Sequence, residues 1–231
     1  MKVTTDACLF GAWAANITGG QESIADSKQL SIKNILDIGC GTGVLSLMLA
    51  QKTDADIDAI EIDDEAAAQA MENEEACSFR NSLKVINDDA RNYRFGKKYD
   101  VIISNPPFYE NELKSLSSKK NTAHHSKELV LDDLLTIIKQ NLSNPGVFFL
   151  LLPFKREDEI KALIDEAGMK LLKLILVRQS VNHHYFRIML MGKINDDEYS
   201  ETEFDELSIW DQRQQYTEEF TRLLRDYYLY L

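Results

Sequence analysis

The segment Asp37-Ile38-Gly39-Cys40-Gly41-Thr42-Gly43 constrains this chain more than any other. It follows Asn34–Cys40, an apolar run of strand type, and opens Gly43–Gln51, a run of helical type. Glycine tolerates tight turns and lets a ligand approach the backbone closely. Three glycines alternating between a strand and a helix therefore demand a βα turn at the edge of a sheet. Here the spacing is G-x-G-x-G, not the G-x-G-x-x-G of dinucleotide sites. An aspartate also stands two residues before the first glycine. Asp37 would repel a pyrophosphate and suits a ligand that carries a positive charge.

The alternation continues along the chain. Ile57–Asp63 reads as a strand, Glu65–Ala76 as a helix, and Leu83–Asp88 and Tyr99–Ser104 as further strands. Leu129–Leu142 has helical periodicity and runs into the turn signal Asn144-Pro145-Gly146. Val147–Leu152 is a fifth strand, and Lys155–Ala167 a helix closed by Gly168 as a left-handed cap. Leu171–Val177 and Tyr185–Met191 are separated by a loop too short for a crossover helix, so they must pair antiparallel. The pattern predicts an α/β fold: a Rossmann-like, mostly parallel, seven-stranded doubly wound sheet with one antiparallel strand. Residues 1–231 read as a single domain without repeats or linkers. Asn195–Ser208 reads as an acidic loop, and Gln212–Tyr228 as a terminal helix with Tyr216, Phe220, Leu223, Leu224 and Tyr227 at helical spacing.

Composition excludes some classes. No apolar run approaches the roughly 20 residues of a membrane span, and the first residues lack the pattern of a secretory signal. Cys8, Cys40 and Cys77 lie far apart, which argues against a disulfide framework or a cysteine zinc site. No His pair has metal-ligand spacing, so no metal is expected. A cytoplasmic protein is expected. The net charge of −12 is unusual for a nucleic-acid binder, but residues 195–231 hold −8 of it. Lys170, Lys173, Arg178, Arg187 and Lys193 form an acid-free stretch with His183 and His184, and Lys114, Lys119, Lys120 and Lys127 lie beside His124 and His125. Local potential steers ligands more than net charge does, so RNA remains a possible partner.

Two more acids fall at strand ends. Glu61 lies about twenty residues beyond the glycine loop, where an acid can accept both hydroxyls of a ribose. Asp63 or Asp64 suits a helix N-cap. Asp88-Asp89-Ala90 ends the third strand, with Asp89 favoured over Asp88 because it precedes the small Ala90. Open α/β sheets bind ligands at this edge.

Asn105-Pro106-Pro107-Phe108 follows the fourth strand. Two prolines remove two backbone donors and fix φ, which frees carbonyls to face a ligand. The Asn105 amide oxygen and the Pro106 carbonyl can accept the two hydrogens of an aniline-like nitrogen, and Phe108 can stack on its ring. That set suits a planar amine or amide. A base in folded RNA would have to be unstacked to reach it, at a cost of a few kcal/mol. The segment from Tyr109 to Lys127 is about twenty residues without periodicity, as substrate loops often are.

Together the glycine loop and N-P-P-F resemble motifs I and IV of class I S-adenosylmethionine methyltransferases that modify exocyclic amines of bases or glutamine amides. The segment Lys2-Val3-Thr4-Thr5-Asp6-Ala7-Cys8-Leu9-Phe10-Gly11-Ala12-Trp13 and the ending Asp226-Tyr227-Tyr228-Leu229 narrow the resemblance to valine-tRNA adenine N6-methyltransferases. In the family a further segment is expected ahead of the first block, whereas Met1 stands almost on it here. The resemblance implies S-adenosyl-L-methionine as cofactor, held by Thr5, Asp6, Asp37, Gly39, Cys40, Gly41, Gly43, Glu61, Asp89, Ala90 and Asn105. It implies catalysis by Asn105, Pro106, Pro107 and Phe108 on the N6 amine of a tRNA adenine beside the anticodon. Asp89 would accept from the cofactor's adenine amine, and Thr5 and Asp6 would close the pocket. Trp13, by its physics, is a core anchor. Alternatives are guanine-N2 methylation of ribosomal RNA, glutamine methylation of a protein, or a non-catalytic binding module.

Overall fold

A computed structural model describes residues 3–21, 31–78, 83–107, 129–195 and 201–231. Helix α1 (Thr5–Thr18) precedes β1 (Asn34–Ile38), α2 (Val44–Ala50), β2 (Asp56–Glu61), α3 (Asp64–Glu75), β3 (Leu83–Asn87) and β4 (Tyr99–Ser104). Then come α4 (Leu131–Asn141), β5 (Leu142–Pro153), a single 3-10 turn at Phe154–Arg156, α5 (Glu157–Glu166), β6 (Met169–Ser180), β7 (Tyr185–Ile194), β8 (Glu203–Trp210) and α6 (Glu218–Leu224).

One eight-stranded sheet runs β3-β2-β1-β4-β5-β7-β6-β8. β1 pairs parallel with β2 and β4, β2 with β3, and β4 with β5. β7 is antiparallel to both β5 and β6. The predicted hairpin is therefore present, and its second strand inserts between β5 and the first. β1 is almost wholly buried, as strands covered on both faces must be. One face packs on α1, α2 and α6 through Trp13, Leu45, Leu49, Phe149 and Phe220. The other packs on α4 and α5 through Leu134, Ile138, Phe148 and Ile160.

Three features differ from the sequence reading. Residues 203–208, expected in an acidic loop, belong instead to β8, which pairs parallel with β6 and adds an eighth strand. Glu203, Asp205 and Glu206 fall in its exposed first half while only Leu207 and Ile209 are buried, so an edge strand looks hydrophilic in sequence. The terminal helix starts only at Glu218. Residues 211–217 first make a turn, with Gln214 at φ 58° and Tyr216 bridging back to Trp210, and the Thr217 side chain caps the helix at Phe220 N. Finally, α1 carries no amphipathic stripe. Every residue from Ala7 to Thr18 is buried, and a helix apolar all round belongs inside. Trp13 packs edge-on against Phe149 with ring centroids 5.3 Å apart, the core role its size suggests. Among the described residues no helix is long and apolar enough to cross a membrane.

Candidate active site

The site is built on strand ends that share one level. Ile38 of β1 lies opposite Ile60 of β2 and Ser104 of β4. The residues that follow, Gly39, Glu61 and Asn105, thus leave three adjacent strands together, spaced by about 4.8 Å per strand. Hydrogen bonds fix this level. Gly39 N and Cys40 N donate to the Ile60 carbonyl at 2.8 and 3.2 Å, and Asp88 N donates to the Glu61 carbonyl at 3.1 Å. The buried Ser104 hydroxyl donates to the Ile38 carbonyl at 2.7 Å.

The loop needs its glycines. Gly39, Gly41 and Gly43 have φ of 70°, 58° and 85°, the left-handed region that glycine enters without strain. A Cβ at Gly39 would meet nothing within 4 Å, so its face opens onto free space where a ligand can lie against backbone. Gly43 then caps α2, and Asn73 of α3 donates to the Thr42 carbonyl at 2.9 Å. Cys40 is buried, and burial raises its thiol pKa far above the ordinary value, so it remains a neutral thiol.

Glu61 braces this loop. One carboxylate oxygen accepts from Gly41 N at 2.8 Å and the other from Asp63 N at 2.9 Å. Each oxygen keeps a second lone pair for a hydroxyl. Asp63 caps α3 by accepting from Ala66 N at 2.9 Å, in line with the sequence expectation.

Asp37 lies fully buried beneath the loop. Its Oδ2 accepts from the Ser46 hydroxyl at 2.7 Å, while Oδ1 has no partner among the described residues. Burial first, and Glu61 second among the raising influences, push its pKa up to about 7 against the opposing Ser46 bond. A buried carboxylate with an unpaired oxygen is costly unless a positive charge compensates it. The residues present therefore fit a ligand that combines a cation with ribose hydroxyls.

Asp89 sits beyond β3 with its carboxylate gripped by Arg91, whose Nε and Nη2 donate at 2.9 and 2.7 Å. These bonds hold its pKa below the ordinary value. Asp88 Oδ1 accepts from Asp89 N. Ala90 packs beside Ile86 and Tyr93 against the α4 side of the core. Asn105 is half-buried, Pro106 buried and Pro107 exposed. Phe108, the segment 109–127, His124, His125 and the cluster Lys114, Lys119, Lys120 and Lys127 lie outside the described residues.

The N-terminal pair opens α1 and meets a strand outside the three that carry the loop, Glu61 and Asn105. Asp6, in the first turn of α1, accepts from Arg187 Nε of β7 at 2.8 Å, and Thr5 lies beside it near Tyr228. The anticipated cationic stretch is also divided. Lys173 pairs with Glu203 and Asp205, and Arg178 with Glu206, so β8 neutralises β6. Lys170 lies opposite Lys193, which lies opposite Val147 at the far end of the sheet from the glycine loop. His183 and His184 are exposed in the β6–β7 turn, with His183 Nδ1 bonded to the Ser180 hydroxyl.

Sequence reasoning missed three contributors: Ser46, Ser104 and the Asp6–Arg187 pair. Ser46 and Ser104 are single polar residues inside apolar runs, which is the signal that could have found them.

Comparison with known proteins agrees with this geometry. Residues 15–148 match the methyltransferase small domain family. A "tRNA1(Val) (adenine(37)-N6)-methyltransferase" of Dyadobacter fermentans is 40% identical over 191 residues, covering 82% of this chain and 74% of that one. One of the same name from Parabacteroides distasonis is 32% identical over 231 residues, 99% of this chain and 91% of its own. Among solved structures, a predicted O-methyltransferase from Agrobacterium tumefaciens superposes with a TM-score of 0.67 at 16% identity, covering 95% of each chain, a likeness of fold.

Proposed function

We propose, from the premise that this chain belongs to the methyltransferase small domain family and, within it, to the tRNA1(Val) (adenine(37)-N6)-methyltransferases, a division of labour along the sheet edge. The chain is an S-adenosyl-L-methionine-dependent methyltransferase acting on the N6 amine of a tRNA adenine. The observation that carries the assignment of roles is the shared level of Gly39, Glu61 and Asn105.

When bound, S-adenosylmethionine supplies a methyl group already activated by a sulfonium. The protein's tasks are then to hold, orient and exclude. The Gly39–Gly43 backbone lies against the amino-acid end of the cofactor, and Asp37 beneath it compensates positive charge. Glu61 accepts the ribose hydroxyls on the oxygens that already hold the loop. Asp89 and Ala90 border the cofactor's adenine, and Thr5 and Asp6 close the pocket from α1.

Asn105, one strand across, receives the acceptor. Its amide oxygen and the Pro106 carbonyl take the two amine hydrogens, which localises the nitrogen lone pair and directs it toward the glycine loop. Pro107 stiffens the turn and Phe108 stacks on the base. The amine proton becomes acidic only once the nitrogen is alkylated, so no strong general base is required first. Positioning of this kind contributes several kcal/mol.

Replacing Asn105 with Ala separates the roles. Turnover on tRNA falls by at least about a hundredfold, while cofactor affinity by calorimetry stays within about twofold. Equal loss of both would refute the assignment of Asn105 to the acceptor. Incubation with labelled cofactor and total tRNA, followed by nucleoside analysis, places the label in N6-methyladenosine. Label in methylguanosine or in protein would overturn the substrate.

A further inference from the structure

β7 carries an irregularity beside the site. Val177 of β6 pairs with Arg187, yet the next residue of β6, Arg178, pairs with Tyr185. Phe186 is thus the extra residue of a β-bulge, a device that re-aims side chains. The Arg187 guanidinium carbon lies 5.3 Å from the Phe186 ring centroid, and Nη1 donates to the Phe186 carbonyl at 3.2 Å. Nε donates to Asp6 at 2.8 Å. Guanidinium has five N–H donors, and among the described residues Nη2 has no partner. The side chain is 31% exposed.

Its place in the sheet matters as much. Arg187 pairs with Pro153, three residues beyond Leu150, which is level with Ser104. The strand rise puts Arg187 about 10 Å past the strand ends. It stands over β5 and β7, on the far side of Asn105 from the glycine loop. An RNA strand that brings a base to Asn105 from the side away from the glycine loop would pass there. Lys173 and Arg178 are paired to β8 and Lys170 lies at the opposite edge, whereas the carboxylate facing Arg187 is Asp6.

We propose that Arg187 contacts a backbone phosphate of the RNA strand that delivers the target base, with the Phe186 ring and carbonyl holding the guanidinium and Asp6 competing with the phosphate for its charge. The proposal rests on the RNA-methyltransferase reading above. Phosphate contacts set register without reading sequence, and Arg suits them because its remaining N–H groups fork toward oxygen.

The test compares Arg187→Gln, Arg187→Lys and Asp6→Asn in the full chain, using an unmodified valine tRNA transcript and S-adenosylmethionine as separate ligands. Arg187→Gln should weaken tRNA binding about three- to tenfold near 0.1 M salt and flatten the log–log salt slope by about 0.7 to 0.9. Its cofactor affinity should be unchanged and its melting curve cooperative, and Arg187→Lys should restore the slope. Asp6→Asn removes the neutralising carboxylate, so tRNA binding should tighten. Opposite signs for the two partners cannot arise from a mere brace between α1 and β7. Equal loss in both with an unchanged slope would overturn the proposal, as would a loss of cofactor affinity in Arg187→Gln. Wild-type protein that methylates no tRNA adenine would instead overturn the reading on which the proposal rests.

Discussion

Asp37 shows how a single residue can be held against its own preference. In water a carboxylate ionises near pH 4, but here burial raises the value to about 7. The folded state therefore holds a proton that the unfolded chain has released. Stability of the ligand-free protein should fall as pH rises from about 4 to about 7 and level off above, a loss of a few kcal/mol. A cationic ligand reverses the preference. Cofactor affinity should therefore rise with pH toward 7 and then flatten, with proton release on binding measurable by calorimetry in buffers of different ionisation enthalpy. Asp37→Asn should remove both dependences, leave the ligand-free melting temperature at pH 8 unchanged or higher, and weaken cofactor binding more than about tenfold. A variant that melts lower and binds normally would show that Asp37 is structural. This residue was legible in sequence because an acid before alternating glycines has no role in an ordinary turn. Its partner Ser46 was marked only by being the one polar residue in the apolar run Val44–Ala50, which does not say what it would bond.

At the scale of elements, what the sequence revealed depended on whether one face or two were buried. β1, β4 and β5 are covered on both sides and read as continuous apolar runs. β8 is an edge strand, and its acids answer the cations of β6 across the ladder, so Glu203, Asp205 and Glu206 read as loop. α1 escaped for the opposite reason, because helical periodicity vanishes when no face meets water. The distinction is measurable. Leu207 is 1% exposed, so Leu207→Ala should cost about 2–4 kcal/mol in denaturant unfolding. A surface loop residue would cost under about 0.5 kcal/mol. The candidate acceptor end of β4 was legible because proline cannot continue a central strand. Asp6 pointed to α1 by resemblance, but only the register of β7 shows which strand it meets.

At the scale of the whole molecule the charge is negative in sum, while among the described residues the β6 cations Lys173 and Arg178 are balanced by neighbouring acids. The chain carries −12, which works against long-range attraction to a polyanion, so binding should depend on local cationic contacts. The slope of log affinity against log salt should correspond to about two or three phosphate contacts, not the six to ten of a strongly basic binder. A steep slope, measured by filter binding between 50 and 200 mM salt (about a fourfold range), would mean that a larger cationic surface engages the tRNA.

The acids of β8 bear on how such a protein behaves among many competing strands. Cations already occupied by their own neighbours give passing RNA little to hold, so encounters with the wrong molecule end quickly. Time is then spent chiefly where a base can leave its stack and enter the pocket beside Asn105. An edge strand of this kind would act as an internal competitor, so neutralising Glu203, Asp205 and Glu206 should lengthen the stay of non-substrate RNA.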